Sequence, residues 1–140
     1  AQESRGLGDV YKRQILDLPM GYVRSGHKDH GRQNQIEGKM EPGTKVVVIE
    51  DLISTGGSVL EVVDVLRQAG AQVLGIASIF TYGLQKGVER LAAADVVNYS
   101  LSDFDTLSKV AAAEGYIADK DIAKLTAFQK NPQDPAWMEL

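Results

Sequence analysis

Hydrophobic positions along this chain follow two different periods, and the changes between them mark its elements. Apolar residues run without a break through Val46, Val47, Val48 and Ile49, the pattern of a central strand covered on both faces in a parallel sheet. Val59, Val62, Val63 and Leu66 then recur at helical spacing as far as Gly70, which predicts a helix over 58–69 closed by a glycine cap. A second strand is expected over 73–80, a helix over 84–94, a short strand over 96–99, and a helix from an N-cap at Ser102 to Glu114, ended by Gly115. A last helix over about 119–130 is stopped by Pro132 and Pro135. Upstream, 20–23 forms a strand candidate, and the polar stretch 24–44, with Gly26, Gly31, Gly38 and Gly43, predicts a long loop. Loops of that length inside a compact domain are usually functional or disordered. The alternation is that of an α/β domain with a mostly parallel central sheet flanked by helices, and the unit over 46–80 is expected to be a right-handed βαβ crossover.

Neither period is present before residue 15. The chain does not open with Met, and the stretch from Asp9 to Gln14 is what GAT-GTG-TAT-AAG-AGA-CAG encodes, a string resembling the transposon-end adapter of sequencing libraries. Residues 1–14 therefore read as a non-native leader, the alternative being a natural disordered or short helical lead-in, with 15–131 as the partial core of the domain and 132–140 as a tail. In that tail Trp137, with Phe128 before it, is expected to anchor packing rather than to stack on a base.

The chain has 140 residues, 44% of them hydrophobic, enough for one compact core and too few for two ordinary domains. A formal net charge of -4 argues against general binding to nucleic acid or anionic membranes, which needs excess Lys and Arg. Without cysteine there are no disulfides, thiolate nucleophiles or cysteine-ligated metals. No apolar run approaches the roughly 18 residues of a membrane span, and no secretory core opens the chain, so a soluble cytoplasmic protein is expected.

Chemistry concentrates in V-V-V-I-E-D-L-I-S-T-G-G-S, residues 46–58. A strand delivers two acids to its carboxyl end, where ligands bind in such sheets, and a small hydroxyl-rich turn then opens a helix. Thr55, Gly56, Gly57 and Ser58 can turn N–H groups and hydroxyls toward a phosphate, helped by the helix dipole. Glu50 and Asp51 would repel that phosphate, and suit the vicinal hydroxyls of a sugar instead. The G-x-x-x-x-G-K-[ST] and G-x-G-x-x-G patterns are absent, which disfavours triphosphate hydrolysis and dinucleotide binding. Between 24 and 39, Arg24, Lys28, Arg32 and Lys39 outnumber Asp29 and Glu37, and His27 and His30 can add charge. Such a local excess in an acidic chain marks an anion site.

Residue for residue, 46–58 resembles the signature of the type I phosphoribosyltransferases. V-R-S-G-H-K-D-H-G-R-Q-N-Q-I-E-G resembles the flexible catalytic loop of the orotate phosphoribosyltransferases, with the likeness extending over about 18–116, including A-S-I-F-T-Y-G. The resemblance implies an N-terminally truncated type I fold and transfer of 5-phosphoribosyl from phosphoribosyl pyrophosphate to orotate, with Mg2+ carried by the substrate, as a step of pyrimidine (UMP) biosynthesis. It also implies that Arg24, Lys28 and His30 contact pyrophosphate as the catalytic cations. Glu50, Asp51, Leu52, Ile53, Ser54, Thr55, Gly56, Gly57 and Ser58 would bind the ribose phosphate, with Ser54 also at the orotate. The family's homodimer, in which the loop enters the neighbouring site, would place Lys28 in the other subunit's centre.

Two positions depart from that pattern. Ser25 and Gly26 stand where many relatives carry a further lysine, and Tyr82 stands where some carry an orotate-contacting arginine. Without the family's N-terminal hood and first strands, the chain is expected to leave a sheet edge or core open and to have little activity alone. The alternatives are a phosphoribosyltransferase for another base, which the loop sequence disfavours, and a non-catalytic phosphoribosyl-pyrophosphate sensor, which would carry a nucleic-acid-binding module.

Overall fold

The computed structural model describes residues 14–24 and 36–139. A short ribbon comes first, with β1 (Tyr22–Val23) antiparallel to β2 (Ile36–Glu37). Then β3 (Lys45–Ile53), α1 (Gly57–Gln68), β4 (Gln72–Thr81), α2 (Gln85–Ala93) and β5 (Asn98–Asp103) alternate, followed by α3 (Phe104–Ala113), α4 (Asp121–Lys130) and a 3-10 turn (Pro135–Met138). The main sheet has the order β3-β4-β5, parallel throughout, so the α/β expectation holds.

The core forms where α1 lies against β3 and β4. Val59, Val63 and Leu66 of the helix meet Val48 and Ile76 of the strands, with Ile53, Ala71 and Val96 completing the cluster. Valines are indifferent helix formers, and burial of this apolar stripe outweighs their propensity. Val23, Ile36 and Met40 pack on the same cluster, which seats the ribbon beside the sheet. Helix α1 ends at the left-handed Gly70 (φ 88°), and Arg67 in its last turn donates to the carbonyls of Ala94 (2.7 Å) and Asp95 (2.9 Å). That guanidinium caps the C-terminal end of α2, where a cation is favoured, and pins the two helices together.

A row of aromatic rings then ties the chain's end to the sheet. Phe80 meets Tyr82 at 5.4 Å, Tyr82 meets Phe104 at 5.6 Å, Phe104 meets Phe128 at 6.1 Å, and Phe128 meets Trp137 edge-on at 5.2 Å. Gln129 adds a hydrogen bond from its side-chain amide to the Tyr82 carbonyl, 2.9 Å. The segment expected as a tail is thereby folded onto α4.

Four expectations need correction. The stretch 24–44 is not one loop, because Ile36–Glu37 pairs with Tyr22–Val23. The fifth strand lies at Asn98–Asp103 rather than 96–99: Val96 is buried in the core, and pairing with β4 starts only at Asn98 opposite Ile76. The cap of α3 consequently moves from Ser102 to Asp103, whose carboxylate accepts the Thr106 N–H at 2.7 Å. Finally, β3 is an edge strand among the described residues, not a central one. Its alternate residues Val47 and Ile49 are about half exposed, because successive strand side chains face opposite ways and α1 covers only the Val48 side.

Candidate functional site

Strand β3 carries both acids within its pairing and continues past them to Ile53. Glu50 is in register with Ser78 of β4, which in turn is opposite Ser100 of β5. Ser78 is buried and donates to the Asn98 side-chain oxygen (3.0 Å), Asn98 donates to Ser100 (2.8 Å), and Ser100 and Ser78 share a 2.5 Å contact. Each polar group in this row is thus satisfied inside the sheet. The Glu50 carboxylate bends back along the strand to accept the Asp51 N–H at 3.0 Å, while Asp51 is exposed.

The turn after the acids is shaped by what its carbonyls meet. Ile53, only 2% exposed, anchors in the core, and its carbonyl accepts the Tyr82 N–H at 2.9 Å, so its side chain packs and its backbone is paired with β4. Leu52 is nearly half exposed. The Ser54 carbonyl lies so close to α2 that a Cβ on Gly87 would stand 2.5 Å from it, which is why that helix carries glycine there. The Thr55 carbonyl accepts from Arg90 Nη1 at 3.3 Å. Gly56 then turns left-handed (φ 74°) as the residue before α1, a conformation that costs side-chain-bearing residues about 1–2 kcal/mol, and its carbonyl accepts the Leu60 N–H at 3.1 Å.

Helix α1 therefore begins with no side-chain cap and no acid in its first turn. Its first N–H groups, at Gly57, Ser58 and Val59, have no partner within the helix, and no acid in its own first turn offsets the positive end of its dipole. Ser54 and Ser58 are exposed and Thr55 is half-buried, so hydroxyls stand around those donors. An anion fits this end of the helix.

Arg24 closes the ribbon. It forms an ion pair with Glu37, and its side-chain hydrogen bond to Tyr22 together with that carboxylate holds its guanidinium above the ordinary value. Lys28 and His30 lie outside the described residues, as do Ser25, Gly26 and His27. The structure thus places 50–58 as one continuous stretch from the end of β3 into α1, and Arg24 on the neighbouring ribbon. Sequence reasoning missed Gly87, Arg90 and Glu37. A glycine within a helical pattern is a packing signal that could have drawn attention to Gly87; nothing local marks the other two.

No group of three or more His, Asp or Glu among the described residues is placed to hold a metal ion, and no helix among them is long and apolar enough to cross a membrane.

The model of the phosphoribosyl transferase domain matches residues 4–109. An orotate phosphoribosyltransferase of Bacillus cytotoxicus is 58% identical over 123 residues, covering 88% of this chain and 59% of the relative. Among solved structures, orotate phosphoribosyltransferase from Aeropyrum pernix is similar at TM-score 0.63 and 31% identity, over 76% of this chain and 57% of that one. The orotate phosphoribosyltransferase of Mycobacterium tuberculosis in complex with 5-phospho-alpha-D-ribosyl 1-diphosphate is similar at TM-score 0.53 and 25% identity, over 62% and 48%. The chain spans about 59% of the length of the curated relatives it matches.

Proposed function

Since this chain belongs to the phosphoribosyl transferase domain family and has its type I fold, we propose that it is the phosphoribosyl-pyrophosphate-binding part of an orotate phosphoribosyltransferase. The observation that carries this reading is the run from Glu50 to Ser58, in which two carboxylates on a strand end lead into an uncapped helix N-terminus. Carboxylates for sugar hydroxyls beside donors for a phosphate describe a ribose 5-phosphate, and the 58% identity to the Bacillus cytotoxicus orotate enzyme supports orotate as the base.

In the proposed reaction the orotate ring nitrogen displaces pyrophosphate from C1 of the ribose, giving orotidine 5-monophosphate. The sugar becomes cationic as negative charge builds on the leaving group, so groups of each sign stabilise the separated charges. Glu50 and Asp51 suit the sugar side, and Arg24, Lys28 and His30 the pyrophosphate side. Ser54, exposed at the end of the strand, suits a contact to the orotate. Mg2+ would supply charge neutralisation on the phosphate oxygens of the substrate itself. The donor set fits that arrangement, since the site offers the adjacent pair Glu50 and Asp51 rather than the larger oxygen cage of a protein-held ion. A homodimer, with the loop after Arg24 reaching the partner's site, completes the proposal.

The test is orotate-dependent pyrophosphate release in Mg2+, measured on this chain and on a form extended with the N-terminal region of the Bacillus cytotoxicus relative. Activity in the extended form that Lys28→Ala abolishes is the expected result. Turnover of a purine in place of orotate would leave the sugar site standing and overturn the base.

A further inference from the structure

Two successive carbonyls of the turn face the same helix. The Ser54 oxygen approaches Gly87 and the Thr55 oxygen accepts from Arg90, one turn further along α2. In a planar trans peptide the N–H points opposite to the C=O it follows. Turning the carbonyls of Ser54 and Thr55 toward α2 therefore turns the N–H groups of Thr55 and Gly56 away from it, both to the same side. The left-handed Gly56 beside the helical Gly57 is the alternation that gathers consecutive N–H groups into an anion-binding concavity. Arg90 is exposed, and no carboxylate among the described residues pairs with it. Its Nη1 also lies 3.5 Å from where a Cβ on Gly57 would be, so it flanks the turn over three residues.

We propose that Arg90 is a positioning residue of the phosphate turn: from α2 it holds the Thr55 carbonyl and so fixes the direction in which the Gly56 N–H meets a bound phosphate. Arg67 does a different job with the same chemistry, since the carbonyls it holds, at Ala94 and Asp95, close a helix end and shape no site. The proposal rests on the reading of 50–58 as a ribose-phosphate cradle but is independent of which base is used.

The experiment is a titration of the full chain, labelled with nitrogen-15, with inorganic phosphate and with ribose 5-phosphate, following the backbone amides of Thr55 and Gly56. Arg90→Met is expected to weaken phosphate binding about tenfold, the loss of one charge-assisted hydrogen bond, and to remove most of the Gly56 response. Arg90→Lys, which keeps a donor on a long stem, recovers most of both. Gly87→Ala, whose methyl would displace the Ser54 carbonyl, weakens binding through the Thr55 amide instead, and tests the same geometry should Arg90→Met fail to fold. Lys86→Ala, on the same helix, leaves binding unchanged. Wild-type affinity in Arg90→Met, or a deficit that vanishes when salt screens long-range attraction, would overturn the positioning role. Absence of phosphate binding in the wild-type chain would overturn the cradle itself, and the inference with it.

Discussion

Arg24 meets a carboxylate of its own chain before it meets any substrate. Glu37 is brought opposite Tyr22 by the register of the β1–β2 ribbon, and Arg24 follows one step beyond Val23. Its guanidinium, held above its ordinary value first by the Tyr22 hydrogen bond and then by Glu37, stays cationic at any working pH. A competing anion can therefore draw it away with no change in its own charge. The pair is exposed on both sides, and exposed pairs hold weakly, so Glu37 acts as a mild competitor for the proposed pyrophosphate contact. Glu37→Gln is expected to tighten pyrophosphate binding about two- to threefold at low salt, with the gain fading as salt rises. Calorimetric titration of pyrophosphate checks this; identical affinity in both proteins at low salt would remove Arg24 from the anion's contacts. At this scale the sequence was readable where neighbours in the chain act together, as the acids and the small turn at 50–58 do. It was opaque for Glu37 and Arg90, whose partners are supplied by ribbon register and helix docking across 13 and 35 positions.

The elements differ in how their helices begin. Helix α3 is closed by its own sequence: Asp103 accepts the Thr106 N–H at 2.7 Å and the Thr106 hydroxyl at 3.1 Å. Helix α1 has no such cap, and the N–H groups of its first turn have no partner within the helix. The composition N-Y-S-L-S-D offers several capping residues in succession, and it is the pairing of Asp103 with Thr81 that decides which one ends the strand. That is why the sequence located the helix but misplaced its cap by one residue. The hydrogen bonds from Thr106, backbone first and then hydroxyl, hold the Asp103 carboxyl below its ordinary 3.8. A depressed folded value means that the cap's contribution is fully present above the unfolded value and is lost as pH falls through the folded one. Asp103→Asn keeps an accepting oxygen without the titration. Melting temperatures followed downward from about pH 6 should therefore fall more steeply for the wild-type chain than for Asp103→Asn below about pH 4; parallel curves would mean the cap carries no pH dependence.

At the scale of the whole molecule, the described residues form one well-filled layer and one open one. On the α1 side of the sheet Val59 and Val63 are essentially inaccessible, while on the other side Val47, Ile49 and Ile79 are about half exposed, Tyr99 72% and Leu101 87%. An apolar strip of this kind across all three strands calls for a cover, and β3 leaves an unpaired outer edge among the described residues. The apolar run at 46–49 spoke for a strand covered on both faces; α1 covers only the Val48 side, and periodicity along one strand does not tell which faces are covered. The curated relatives are longer, this chain matching 59% of their length. Adding the N-terminal region of the Bacillus cytotoxicus relative, as a fusion or in trans, is expected to close the strip. Burying several half-exposed side chains at about 1 kcal/mol each corresponds to a rise in melting temperature of roughly 10–20 °C, with loss of the fluorescence of a dye bound to exposed apolar surface. If a second copy already covers the strip, the chain alone will sediment as a dimer, bind no dye, and gain nothing from the added region. Dye binding by a monomer that the addition abolishes would instead assign the face to the rest of a longer protein.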